Sequence, residues 1–162
     1  MLDAAVRSNG LRPAKVVADI TEAVTGSPCG SLHGVRIALL GLTFKSGTSD
    51  LRDSPALAVA SELKKAGAVL CGYDPALSPG AESPLCGLDL AEDPYRAAQG
   101  ADALVVLTEW PQFATLDWSR LGDAVRCRTI VDTRNVVDEK SVAVQGFTLH
   151  GNGFEASGRE GR

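Results

Sequence analysis

The sequence is short of most residues that announce a chemistry. It has two histidines, one methionine and four cysteines in 162 residues, and its aromatics are two Trp, two Tyr and four Phe. His33 and His150 are far apart in the chain, and neither has an adjacent Ser or Cys to make a nucleophile–base pair. A zinc centre would need ligands converging over long distances, because Cys29, Cys71, Cys86 and Cys127 form no CxxC pair. They read instead as reduced thiols, with Cys71 and Cys127 in or beside apolar stretches where small buried thiols are common. No apolar run approaches the roughly 18–20 residues of a membrane span, and the first ten residues lack the charged-then-apolar order of a secretory signal. A cytoplasmic protein is expected. Basic residues are also in deficit. Sixteen Lys and Arg against 20 Asp and Glu give a net charge of −4, so neither nucleic acid nor an anionic membrane is an expected partner.

What is present fits one α/β unit. The chain is 44% apolar and 22% charged, the balance of a globular domain, and its length suits one core. Residues 13–24 set Val17, Ile20 and Val24 three and four apart behind Pro13, a helix pattern, and GSPCGS at 26–31 breaks it. That helix cannot bury its stripe alone; it must lean on the rest of the chain or on something supplied in trans. Short, nearly continuous apolar runs at 35–40, 69–73, 103–107 and 129–132 read as strands covered on both faces. Between the first two, residues 55–66 put Ala56, Val59, Ala60 and Leu63 on one helical face. Ser54 is the N-cap there, Pro55 takes the first helical position and Gly67 closes the helix. Residues 93–99 and 117–125 are weaker helix candidates, 147–149 an edge strand, and the tail from 155 frays. The alternation predicts an open, mostly parallel sheet with helices on both faces, in which ligands sit outside the carboxyl ends of the strands.

Three strand-end loops carry the candidate chemistry. The first, GLTFKSGTSDLRD at 41–53, has thirteen residues, where such connections usually run about two to six. It is polar, carries Lys45 and Arg52, and ends on a helix N-terminus whose unpaired N–H groups and partial positive charge suit an anion. It is neither a P-loop, since no Lys follows Gly47, nor a GxGxxG fingerprint. The competing reading is a solvated loop in which Lys45 and Arg52 pair with Asp50 and Asp53. The second, TEWPQF at 108–113, sets Trp110 and Phe113 at a strand mouth; such rings stack on a base or sugar, but more commonly pack under a loop. In the third, DTRN at 132–135, Arg134 is suited to hold a phosphate in two places. It would lie close to the first loop if the two strands are neighbours; otherwise it makes a rim salt bridge with Asp132 or Asp138. Asp74, in YDP, closes a turn or accepts from a ribose. The residues alone lead to an anion- or nucleotide-binding module without a catalytic constellation.

The run VRIALLGLTFKSGTSDLRDSPALAVASELKKAGAVLCGYDP at 35–75 resembles the opening of the C-terminal domain of the UDP-glucose/GDP-mannose dehydrogenase family. GADALVVLTEWPQF at 100–113, TIVDTRNVVD at 129–138 and GFTLHGNG at 146–153 fit the same pattern in order, and Asn9 and Pro13 look like the end of that family's central helical segment. The resemblance implies a Rossmann-like fold, with residues 1–30 as the end of the central segment and a linker, 31–154 as the C-terminal domain and 155–162 as a disordered tail. It implies a UDP-sugar or GDP-sugar ligand contacted by Phe44, Lys45 and Arg134, and an NAD reached by Arg52. The reaction implied is NAD-dependent oxidation of the sugar C6 alcohol to a carboxylate. The family's catalytic cysteine and glycine-rich NAD fingerprint have no counterpart here, so no catalytic residue and no metal ligand is assigned. The resemblance therefore implies action together with an N-terminal dehydrogenase portion that holds most of the NAD, and inactivity alone. The apolar stripe on 13–24, read from its periodicity, leaves room for a homodimer if it is exposed. A free-standing nucleotide-sugar-binding module and a degenerate remnant are the alternatives. The loop departs from the family's usual FKPGTDDLR at Ser46 and Ser49, and loss of the proline leaves it less pre-ordered.

Overall fold

The computed structural model describes residues 12–27, 29–43, 54–77 and 87–151. In chain order the elements are α1 (Pro13–Thr25), β1 (Arg36–Leu40), α2 (Pro55–Lys65), β2 (Val69–Tyr73), β3 (Leu88–Leu90), α3 (Pro94–Ala97), β4 (Ala103–Val106), a 3₁₀ segment (Pro111–Thr115), α4 (Trp118–Ala124), β5 (Thr129–Asp132), α5 (Glu139–Val144) and β6 (Thr148–Gly151). All six strands pair in parallel, in the order β3-β2-β1-β4-β5-β6. This is the Rossmann-like sheet, and it is wholly rather than mostly parallel.

The central strands β1, β4 and β5 are buried on both faces, which is why they read as unbroken apolar runs, while β2 buries one face and the edge strands β3 and β6 less. Ile37 and Leu39 of β1 join Val105 and Val131 under α1 and α2, while Ala38 and Leu40 join Leu104, Val106 and Ile130 under α3, α4 and α5. Residues two apart on a strand share a face, so one sheet divides two cores. α1 belongs to the first: Val16, Ile20 and Thr21 are buried, and Val17, Ala23 and Val24 pack partly buried against the same cluster. Its stripe leans on α2 of this chain, so it is not the exposed surface for self-association that the periodicity allowed. At α2 the expected signals operate together: Ser54 accepts from the Leu57 amide, Pro55 opens the helix, and Gly67 follows it at φ +93°.

The differences lie at the short elements. The 93–99 helix shrinks to the four residues of α3, capped by Asp93, and the edge strand moves to Thr148–Gly151. β3, α5 and the 3₁₀ segment have no strong sequence pattern, each being short. Cys127 is exposed rather than buried, because it sits in the turn between α4 and β5, where its Sγ lies 3.8 Å from Asp102 Oδ1. Cys71 is half-buried, and burial, followed by the charge of Asp89, pushes its thiol up from its ordinary value, as expected of an inert core sulfur. Cys86 and the tail from 155 lie outside the described residues.

Candidate functional site

The sheet order reverses at β1. Its successor β2 lies on one side and β4 on the other, so the chain leaves the two central strands in opposite directions and opens a crevice at their carboxyl ends. Gly41 marks the exit from β1. It has φ +98°, and a Cβ there would lie 2.5 Å from Thr108 Cβ and 2.7 Å from the Thr108 backbone nitrogen. Only glycine lets the chain turn this closely against the exit of β4.

Beneath the crevice is a buried carboxylate. Asp74, 1% exposed at the end of β2, accepts on Oδ2 from the backbone N–H of Leu42 (2.7 Å) and Thr43 (3.0 Å), the Thr43 hydroxyl (3.0 Å) and the Trp110 indole N–H (3.1 Å). Its Oδ1 accepts from the Ala76 N–H at 2.8 Å. Four donors crowd Oδ2 and one meets Oδ1, so the carboxylate is turned onto the protein rather than toward solvent. Asp74 thus joins the exits of β1, β2 and β4. Two further bonds complete the joint: Thr108 Oγ1 donates to the Thr43 carbonyl (3.0 Å), and Ser54 Oγ donates to the Leu42 carbonyl (2.7 Å). The residues on either side of 44–53 are therefore pinned to the sheet and to the start of α2. Beside them, burial and the neighbouring Asp74 and Asp93 charges hold the Tyr73 hydroxyl above its ordinary value.

A second buried carboxylate shapes the exit of β5. Asp132 is fully buried; its Oδ1 accepts from the Arg134 N–H (3.0 Å) and its Oδ2 from the Val137 N–H (2.8 Å). Thr133 Oγ1 donates to the Val106 carbonyl at 2.7 Å, and Asn135 turns the chain at φ +59°. The Arg134 side chain does not pair with Asp132 or Asp138. Its Nε and Nη2 both reach Oε1 of Glu109, at 2.9 and 2.8 Å. Nor are the strands of Arg134 and of the 41–53 loop neighbours, since β4 lies between β1 and β5. Glu109 lies in the loop after β4, the strand between them.

Of the predicted ligand residues, Arg134 therefore stands at the carboxyl edge, while Phe44, Lys45 and Arg52 lie outside the described residues. Phe113 is a core residue, fully buried and edge-on to Tyr73 with ring centroids 6.3 Å apart. Trp110 is half-buried with its N–H committed to Asp74. Both aromatics pack. Asp74 closes its turn, as the commoner reading held, but its reach across three loops was missed, as were Glu109 and Asp132. The available signal was a lone acid directly at a strand's end: Asp74 within YDP, Asp132 before TRN. Among the described residues no group of three or more His, Cys, Asp or Glu could hold a metal ion, and no helix is long and apolar enough to cross a membrane.

A six-stranded parallel sheet that reverses order over pinned loops defines a doubly wound domain of the nucleotide-binding type. Residues 38–139 match the profile of the UDP-glucose/GDP-mannose dehydrogenase family, UDP binding domain. The chain belongs to that family. It is 49% identical over 118 residues to a UDP-glucose 6-dehydrogenase of Rhizobium meliloti, covering 73% of this chain and 27% of that one. A UDP-glucose 6-dehydrogenase of Rickettsia conorii is 34% identical over 94% of this chain and 35% of its own length. Among solved structures, the UDP-D-ManNAc dehydrogenase of Pyrococcus horikoshii superposes with a TM-score of 0.66 at 30% identity, over 86% of this chain and 30% of that one. The chain thus spans about a third or less of the length of the relatives it matches.

Proposed function

We propose that this chain is the nucleotide-sugar-binding portion of an NAD-dependent UDP-sugar 6-dehydrogenase, which oxidises the C6 alcohol to a carboxylate. The carrying observation is the joint at the sheet's reversal, where Asp74, Thr108 and Ser54 pin the residues on either side of 44–53. Such a base holds the segment's ends at fixed positions before any ligand arrives, which lowers the entropy lost on binding. Lys45 and Arg134 supply charge for the diphosphate, and Phe44 supplies a further contact. UDP-sugars are favoured over GDP-sugars because the matched domain is a UDP-binding one.

The described residues do not fit NAD in this crevice. An acid at the end of β2 is where a dinucleotide fold takes a ribose hydroxyl, and here Asp74 is 1% exposed and turned onto five internal donors. In this reading NAD is held chiefly by an N-terminal dehydrogenase portion, with Arg52 reaching toward it. Calorimetric titration of UDP, UDP-glucose and GDP-mannose tests the assignment. UDP and UDP-glucose should bind, and Lys45→Ala or Arg134→Ala should each weaken them roughly tenfold or more, the scale of one charge-assisted hydrogen bond. Undiminished binding by both variants would remove the site.

A further inference from the structure

The ion pair across β4 has a geometry that a rim salt bridge does not need. A guanidinium has five N–H donors in a planar fork. Glu109 takes two of them on a single oxygen, through Nε and Nη2, which is one edge of the plane. Nη1 and the second Nη2 hydrogen, the distal edge, have no partner among the described residues. That edge is itself a two-donor fork suited to a phosphate. Both partners also stand on fixed backbone. Arg134 is set by the buried Asp132 and by Thr133 on the Val106 carbonyl, and the chain at Glu109 is set by Thr108 on Thr43 and by the Trp110 backbone N–H on the Thr108 carbonyl (3.0 Å).

Resting on the reading of Arg134 as a ligand residue, we propose that Glu109 is its positioning residue. It clamps the near edge of the guanidinium, so that the distal fork is presented to the diphosphate already oriented. Without the clamp, the ligand itself must order a long, rotamer-rich side chain. A merely electrostatic Glu109 would do the opposite, since a carboxylate beside a phosphate site repels the anion. The two roles therefore predict effects of opposite sign.

The test is a double-mutant cycle read by calorimetry with UDP as the probe. Glu109→Ala should weaken UDP roughly three- to tenfold, the scale of ordering one such side chain, and should have no effect in the Arg134→Ala background. Glu109→Gln keeps an oxygen acceptor and should restore affinity to within about twofold of the parent. Tighter or unchanged binding by Glu109→Ala overturns the proposal, as does an equal loss in the Arg134→Ala background, which marks a structural role. A nitrogen-15 spectrum of the arginine Nε–H groups gives an arm independent of UDP. The Arg134 Nε–H should be protected from exchange in the parent and in Glu109→Gln, and unprotected in Glu109→Ala. If the parent shows that protection but does not bind UDP, the ligand reading fails while the clamp stands. If UDP binds and the protection is absent, the clamp alone fails.

Discussion

A buried carboxylate is tolerated only where donors surround it, because transferring an unpaired charge out of water is prohibitive. Asp74 meets that condition with five donors drawn from three loops, and this makes it the residue on which the site's geometry most depends. Asp74→Ala would orphan the Leu42 and Thr43 amides, on residues that are 0% and 1% exposed. At about 1–3 kcal/mol for each buried unsatisfied donor, the loss should be at least about 2 kcal/mol, or roughly 4–8 °C in melting temperature. Asp74→Asn should cost about a third of that. Its oxygen can occupy the four-donor position, and only the Ala76 N–H then faces an amide NH₂. A denaturant melt in which the alanine variant loses less than 1 kcal/mol would show that the three exits hold without their shared anchor. Little of this was legible in the sequence. YDP announces a turn, but donors contributed from positions 42, 43 and 110 are long-range facts that no local pattern encodes. Arg134 was legible as a cation at a strand end, but its partner was not. The local candidates Asp132 and Asp138 were nearer in sequence, yet Asp132 is spent on backbone amides and Asp138 on capping the next helix.

At the scale of elements, legibility followed burial. β2 and β5 coincide with their predicted bounds, and β1 and β4 differ by one residue; β1, β4 and β5 are covered on both faces and leave continuous apolar runs, and β2 is apolar enough to leave one although a single face is buried. α5 left no such trace. Of EKSVAV only Val142 is buried, and a stripe of one residue is no period. This helix depends on its cap instead: Asp138 Oδ2 accepts from the Ser141 hydroxyl at 2.7 Å and from the Ser141 N–H at 3.0 Å. Those bonds, the hydroxyl's foremost, hold the Asp138 carboxyl below the usual carboxylate range. A depressed native value means that the cap's contribution is complete above the unfolded value, near pH 4, and is lost as the pH falls through the native one. The Ser141 amide proton should therefore exchange faster relative to core amides as the pH is lowered from 5 to 2.5. Asp138→Asn, a cap that does not titrate, should abolish that dependence while α5 remains folded. An unchanged profile in the asparagine variant would assign the acid response to another group.

For the whole molecule, the sheet's order and its site pull apart two properties that usually travel together. Strand order 3-2-1-4-5-6 is that of dinucleotide-binding domains, and by topology alone the crevice between β1 and β4 would be read as an NAD site. The residues argue otherwise. The first exit carries a thirteen-residue polar loop with Lys45 and Arg52 in place of GxGxxG, and the acid at the end of β2 is turned inward. Fold is a scaffold here, and the ligand is decided by what the strand ends carry. The distinction has a direct thermodynamic readout, since a ligand that binds only the folded state stabilises it by about 2.7 kcal/mol at one hundred times its dissociation constant. UDP at that excess should raise the melting temperature by roughly 5–10 °C, whereas millimolar NAD should leave it within about 1 °C. Arg134→Ala should blunt the UDP shift without altering the NAD result. A melting temperature that responds to NAD and ignores UDP would mean that Asp74 opens to accept a ribose. The crevice would then have to be read by its topology rather than by its side chains.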